Sequence, residues 1–276
     1  MSAQPEPESA DAPEPAGAPD PGHAPEPAPT VLRPDAEHIR AACRLVADRY
    51  PEALAAVLGG SGARGLTTPT SDLDLAVLLP DDGTDHRRTL RHDGRVAEVF
   101  LHTRAGLREI FASDRGTRRA TMLFIYAESV PLHDPHGHAA ALRAQARSLL
   151  AAGPDPLTAA ERDSGRYALT DLLEDLHDTA CPGSDRFEQL AIAERVLGQS
   201  AHLLTAHRRA WNGAGKWLPR RLLAADPVLG EALLRGHLAV AEQADPMPLA
   251  GAARDVLDLL GGPLREGYVQ NRKPSL

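Results

Sequence analysis

The chain's 276 residues suffice for one large or two modest domains, and its 42% hydrophobic content is enough for packed cores. Its formal net charge of −8 argues against a general nucleic-acid binder, because phosphate backbones are held mainly by clustered Lys and Arg. The two cysteines lack paired spacing, no apolar run reaches about 20 residues, and no secretory signal is present, so we expect a cytoplasmic protein without disulfides or a membrane span.

The first elements along the chain follow from composition and apolar spacing. Residues 1–30 are rich in Pro, Ala and Glu with almost no large apolar side chain, which predicts a disordered tail. Residues 35–50 show helical spacing, and Asp35 is placed to cap the start of that helix. "ALAAVLGG" then predicts a short buried strand, "SGARG" the first turn of a helix, and "TTPTS" a loop.

Two later segments alternate in the manner of strands. Residues 72–80, "DLDLAVLLP", alternate acid and leucine before becoming apolar, and in residues 95–103 Glu98, Phe100 and His102 share one face. The polar residues 81–94 between them are predicted to be a long hairpin connection. Residues 103–114 look helical, residues 118–128 fit either helix or strand, and residues 129–134 predict a short edge strand.

The character of the chain changes in its second half. From about residue 139 onward, only helical patterns are found. We therefore predict an α/β (α+β) domain at residues 31–150, followed by an all-α helical-bundle domain at residues 151–270.

The acids of residues 72–80 are the strongest chemical signal. Side chains alternate along a strand, so Asp72 and Asp74 project together while Leu73 and Leu75 point to the opposite, buried side. Burying ionised carboxylates costs several kcal/mol unless a cation or hydrogen-bond donors compensate. This pair of carboxylates suits Mg²⁺, which prefers oxygen ligands and takes its remaining ones from water and from substrate phosphates. Two such ions would stabilise an in-line displacement at phosphorus.

The glycine turn upstream complements these acids. Gly59 and Gly60 allow the backbone to approach a ligand closely, and Ser61 offers a hydroxyl and an amide at a helix start that favours an anion. A triphosphate would then lie between the turn and the metal. Glu98, expected on a neighbouring strand, is a third metal ligand or the base that removes a proton from an acceptor hydroxyl.

Taken together, "GGSGARG", "TSDLDLAVLL" and the later "RVAEVFLH" resemble the nucleotidyltransferase superfamily shared by DNA polymerase beta and the bacterial antibiotic adenylyltransferases. The context of Glu98 looks most like the aminoglycoside adenylyltransferase branch. The resemblance covers roughly residues 53–103. It implies a small mixed sheet with helices and an active cleft between that sheet and the helical domain.

The resemblance also assigns roles to individual residues. Asp72 and Asp74 would bind Mg²⁺, Gly60 and Ser61 would hold the nucleotide phosphates, and Glu98 would be the third acid. Related adenylyltransferases bring a lysine from their helical domain onto the triphosphate. Lys216, in "NGAGKWLPRRL", is the candidate for that lysine, the alternative being a loop lysine beside a packed tryptophan.

Two further charged features each have two interpretations. Arg64, one turn after Ser61, would contact phosphate or be a solvated arginine at a helix start. A single acidic helix face would attract a polycation or would simply be the solvent face of an amphipathic helix, which is the interpretation that we favour. Its members are Asp171, Glu174, Asp175 and Asp178.

The sequence thus predicts an Mg²⁺-dependent adenylyltransferase that moves AMP from ATP to a hydroxyl of a small molecule. The first candidate acceptor is an aminoglycoside-type antibiotic, which would make the protein an antibiotic-resistance enzyme; no membrane partner is expected. One alternative is an adenylyltransferase that acts on protein or RNA, as in toxin–antitoxin modules. The other is a non-catalytic nucleotide-binding protein of the same fold.

Overall fold

A mixed β-sheet forms the first half of the protein. The computed structural model describes residues 34–181 and 183–269, so the tail predicted at residues 1–30 lies outside the described residues. Within that part of the chain, five strands are arranged in the order β3-β4-β2-β1-β5. They are β1 (Ala55–Leu58), β2 (Leu73–Leu78), β3 (His86–His92), β4 (Arg95–His102) and β5 (Val130–His133). Only β2 and β4 run parallel; the other neighbours are antiparallel.

Helices surround the sheet and make up the second half of the chain. Those of the first half are α1 (Ala36–Arg49), α2 (Gly60–Arg64), α3 (Arg104–Thr117), α4 (Thr121–Ala127) and α5 (His138–Ala152). Those of the second half are α6 (Ala159–Asp178), α7 (Arg186–His207), α8 (Trp217–Ala225), α9 (Pro227–Gln243) and α10 (Met247–Leu259). None of these described helices is long and apolar enough to cross a membrane.

Most of the predicted elements are confirmed, and local chemistry explains their ends. The Asp35 carboxylate accepts hydrogen bonds from the backbone N–H groups of Glu37 and His38, which caps α1 as expected. Strands β1, β2 and β4 lie where alternation and apolar runs predict them, and β5 is an edge strand. The ambiguous segment at residues 118–128 contains the helix α4.

Two elements differ from the prediction. Residues 81–94 are not merely a hairpin connection, because β3 lies within them and pairs antiparallel with β4. Its side chains are mostly polar and exposed, as befits an edge strand that avoids association with other chains. The segment around Lys216 is not only a glycine-broken loop, because α8 begins directly after Lys216.

The apolar residues form three clusters. One face of the sheet, with Leu73, Leu75 and Val77, packs against α1, and the other face packs against α3, α4 and α5. The third cluster joins α6 to α10. Trp211, from the segment between α7 and α8, packs into the cluster of α3 to α5 and donates a hydrogen bond from Nε1 to the Leu150 carbonyl, so this segment returns to the sheet.

Candidate active site

The parallel pairing of β2 and β4 brings two acids side by side. Asp74 is the register partner of Glu98, and residues paired in this way point to the same face of the sheet. Their neighbours Leu73 and Ala97 face the α1 side and are fully buried. Asp74 and Glu98 therefore lie on the face that carries α4, and both line one cavity there.

The glycine turn lies directly against Asp74. Gly60 begins α2 with φ +56°, a left-handed conformation that favours glycine. A Cβ added to Gly60 would lie 2.7 Å from Cγ of Asp74 and closer still to Oδ2. The adjacent Gly59 N–H donates to the Asp74 carbonyl over 2.8 Å, which joins the turn to β2. Only glycine therefore fits between the turn and the carboxylate.

The surroundings of Asp74 disfavour its ionised form. Burial raises its pKa to about 6, and the negative charge of Asp72 adds to this rise. The positive charges of Lys216 and Arg87 act in the opposite direction but do not cancel the effect. Asp72 itself is half-buried, precedes β2 by one residue and does not line the cavity. The negative charges of Asp72 and Asp74 therefore still repel each other, and the nearby cations do not fully offset this repulsion.

Glu98 differs from Asp74 because it has a direct cationic partner. The Arg87 guanidinium of β3 forms an ion pair with the Glu98 carboxylate. The same guanidinium lies 5.3 Å from the centroid of the Phe100 ring, the next residue along that face of β4. The sequence interpretation missed Arg87, because its position beside Glu98 depends on β3 being a strand.

The three predicted acids, Asp72, Asp74 and Glu98, form only part of a binding site for a divalent cation. Within residues 34–181 and 183–269, no three His, Cys, Asp or Glu side chains are grouped so as to hold a metal ion. The structure thus brings Asp74 and Glu98 together but does not assemble three acids around one point. A divalent ion nevertheless suits Asp72 and Asp74, since a cation there would relieve both the burial of Asp74 and the repulsion between the two charges.

The cavity above these acids has a volume of about 290 Å³ and lies between the sheet face, α4 and the start of α8. Its wall combines aromatic rings with guanidinium groups from both halves of the chain. The Arg221 guanidinium lies 3.5 Å from the Phe124 ring centroid and 5.3 Å from that of Trp217. The other residues of the wall and rim include Arg119, Thr121, Ile125, Asn212, Gly213 and Ala214.

The remaining predicted residues lie around this cavity in different ways. Arg64 lines it, but its guanidinium bonds Glu128 at 2.8 and 3.1 Å and lies 4.7 Å from the Trp217 ring centroid. Ser61 is half-buried in α2 and does not line the cavity. Lys216 is exposed at the N-terminal cap of α8, near enough for its charge to lower the pKa of Asp74.

The acidic face of α6 lies elsewhere. None of its four acids lines the cavity described above. Arg265 pairs with Asp171 and, at 3.0 Å, with Glu174. Tyr268 stacks on Tyr167 of the same helix at 4.4 Å between ring centroids, so the segment after α10 covers part of this face.

Comparison with known proteins gives the fold its name. Residues 39–119 match the family model of the nucleotidyltransferase domain. The matched segment runs from α1 to the end of α3 and includes the glycine turn, both aspartates and Glu98. The protein therefore has a nucleotidyltransferase fold with a five-stranded mixed sheet and a helical C-terminal portion, and the domain supports transfer of a nucleoside monophosphate in general.

A solved structure is also similar. It is the crystal structure of a nucleotidyltransferase-like protein from Exiguobacterium sibiricum 255-15, at 16% sequence identity and a TM-score of 0.41. The similarity covers 81% of this chain and 74% of that chain. No curated protein matches this chain.

Proposed function

We propose that this nucleotidyltransferase fold catalyses Mg²⁺-dependent transfer of AMP from ATP to a hydroxyl group of a small molecule, with release of pyrophosphate. The observation that carries the proposal is the pairing of Asp74 with Glu98 on the floor of a cavity bordered by the Gly60 turn. A half-buried acid with a raised pKa beside a second acid in a cleft is typical of functional sites.

The proposed mechanism gives each predicted site residue a role. Asp72 and Asp74 would hold two Mg²⁺ ions, which when bound would offset the charge of the phosphates. The backbone of Gly60, which lines the cavity, and the amide and hydroxyl of Ser61, which lies just outside it, would hold the nucleotide phosphates. Glu98 would be a third ligand of these ions or would accept the proton of the acceptor hydroxyl. In the transfer, the hydroxyl oxygen of the acceptor bonds to the α-phosphorus and the bond from that phosphorus to pyrophosphate breaks.

The positively charged side chains would serve the nucleotide. Lys216 is proposed to approach the triphosphate, because its charge already acts on Asp74. Arg64 is proposed to support the wall rather than bind phosphate directly, since Glu128 and Trp217 engage its guanidinium. The rings of Phe124 and Trp217, together with the guanidinium groups that pack on them, would form the wall against which a nucleobase or an acceptor ring lies.

The acceptor is proposed to be a small molecule because a cavity of about 290 Å³ suits one. An aminoglycoside-type acceptor, with the antibiotic resistance that it would imply, is the first member of the class to test. The lining does not single out a polycation, however, because Arg64, Arg119 and Arg221 border the cavity and the acidic face of α6 does not.

Mass spectrometry of reaction products is the direct test of this function. The full chain would be incubated with ATP, Mg²⁺ and a panel of hydroxylated acceptors, including aminoglycosides and neutral and anionic compounds. We expect an acceptor heavier by one AMP group, together with pyrophosphate. The Asp74→Asn variant should lose at least about 100-fold in rate, since it removes charge at the reacting phosphates. Asp175→Asn, on the exposed face of α6, is the matched control and should keep full activity.

Three other results would change the proposed function or the proposed site. If AMP from ATP were instead found attached to protein or RNA, this result would favour an adenylyltransferase that acts on a macromolecule. Nucleotide binding without any transferred product would indicate a non-catalytic protein. An Asp74→Asn variant as active as the wild type would refute the proposed site.

A further inference from the structure

The ion pair between Arg87 of β3 and Glu98 of β4 places a positive charge beside the candidate active site. In the register of these strands, Arg87 lies opposite Phe100, and Glu98 lies opposite Thr89, two residues away on the same face. The Arg87 side chain bridges this diagonal to reach the Glu98 carboxylate. Arg88, the next residue, points to the opposite face and borders a different cavity.

This contact explains why the predicted three-acid cluster is not assembled. Glu98 is directed at a guanidinium rather than at Asp72 and Asp74, and no described group of three acids could hold a metal. The Glu98 side chain is only 19% exposed, so its charge is partly desolvated and needs a partner. Burial raises the pKa of Asp74, and the charge of Arg87 opposes this rise without cancelling it, so Arg87 acts on the second acid as well.

We propose that Arg87 is an internal cation that holds Glu98 in the absence of substrate and competes with divalent metal for this carboxylate. The inference rests on the proposed function and adds a mode of regulation to the same site. Binding of metal and triphosphate releases Glu98 from Arg87, so that the carboxylate becomes available only when the substrate is present. Arg87 is thus a positioning residue for Glu98.

The position of Arg87 allows such an exchange. Its side chain is 62% exposed and belongs to an edge strand, so it can swing without disturbing the core. The Phe100 ring under its guanidinium is itself part of the cavity lining. Once released from Glu98, the guanidinium can stay on this ring, beside the cavity.

Titration of the nucleotide-free full chain with Mn²⁺ tests the competition without relying on activity. Calorimetry or the electron paramagnetic resonance signal of free Mn²⁺ would give the affinity. We expect Arg87→Gln to bind Mn²⁺ about three- to fivefold more tightly than the wild type, the scale of a partly exposed ion pair. Arg87→Lys keeps the charge and should remain close to the wild type. Arg88→Gln removes the same charge from the opposite face and should leave the affinity unchanged.

A double variant identifies the carboxylate concerned. In a Glu98→Gln background, Arg87→Gln should no longer raise the affinity for Mn²⁺, because the carboxylate for which Arg87 and the metal compete is absent. Equal or weaker Mn²⁺ binding by Arg87→Gln, or a gain that persists in the Glu98→Gln background, would overturn the inference. Circular dichroism of each variant establishes that the fold is retained.

Failure of this inference can be told apart from failure of the proposed function. If Asp74→Asn abolishes Mn²⁺ binding while Arg87→Gln binds as the wild type does, the metal site stands and only the competition is wrong. If Asp74→Asn binds Mn²⁺ like the wild type, or no variant binds it, both the metal site and the competition are refuted.

Discussion

Two acidic groups of similar appearance in the sequence have different surroundings in the structure. Asp72 and Asp74 lie at the start of a core strand, where burial and mutual repulsion raise the pKa of Asp74 to about 6. The acids of α6 lie on an amphipathic helix, where Asp171 and Glu174 are 48% and 52% exposed and pair with Arg265. The first group is under electrostatic strain, whereas water and a neighbouring arginine satisfy the second.

The comparison shows that burial, rather than the number of acids, marks the candidate site. An exposed carboxylate is stabilised by solvent whether or not a ligand binds. A carboxylate held in a desolvated cleft gains much more from an incoming cation, because the ion replaces solvation that folding removed.

The largest expected effect is a pH-dependent gain in stability on replacing Asp74. The folded-state pKa of Asp74 lies above its ordinary value of 3.8, so the protonated form is favoured by folding. Wild-type protein therefore loses stability as the pH rises from about 4 through about 6, by up to about 3 kcal/mol. With metal removed by a chelator, Asp74→Asn should be more stable than the wild type at pH of about 8 and similar to it near pH of about 3.5.

Urea unfolding at the two pH values measures this difference, and Asp175→Asn is the control from the exposed acidic face. That variant should follow the wild type at both pH values. An Asp74→Asn variant that is destabilised equally at both would show that Asp74 is not strained in the folded state.

An effect of similar size is expected at the turn beside Asp74. Gly60→Ala combines a left-handed φ of +56° with overlap between the new Cβ and the Asp74 carboxylate. We expect a loss of about 2–4 kcal/mol in the free energy of unfolding, together with loss of activity as the carboxylate is displaced.

Gly94 in the β3–β4 turn provides a matched control. Its φ is +77°, but no atom lies within 4 Å of an added Cβ, so Gly94→Ala reports the backbone strain alone. If the two variants lose equal stability and both keep activity, the close approach of the turn to Asp74 has no functional meaning.

The smallest effect is expected at the acidic face of α6. Arg265→Ala removes the partner of Asp171 and Glu174, but all three side chains are near half exposed. We expect a slight drop in melting temperature that vanishes in about 1 M salt, where charges are screened within about 3 Å. Activity with every acceptor should be unchanged. A selective loss of activity toward cationic acceptors would instead assign this face to substrate binding.

Much of the first half of the fold follows from local pattern. The alternation in residues 72–80 and 95–103 predicts both strands and the face that each acid occupies, and the structure adds the register that pairs Asp74 with Glu98. The role of each of these residues in catalysis stays a prediction. So does the domain boundary near residue 150.

Features that depend on contacts between distant segments were not predicted. Strand β3, "HRRTLRH", has few apolar residues because it is an exposed edge, so hydrophobic alternation gives no signal there. Missing β3 also meant missing Arg87. The aromatic and guanidinium wall forms only when the segment before α8 returns to the sheet, and no periodicity within one segment reports such a contact.

The wall around Trp217 gives the protein a built-in optical probe. The chain has two tryptophans: Trp211 is 4% exposed in the core, whereas Trp217 borders the cleft between guanidinium groups. A molecule that enters the cleft changes the surroundings of the Trp217 indole, whereas the fluorescence of the buried Trp211 stays constant. The fluorescence of the unlabelled protein should therefore report occupancy directly, and a Trp217→Phe variant should be spectroscopically silent to the same ligand.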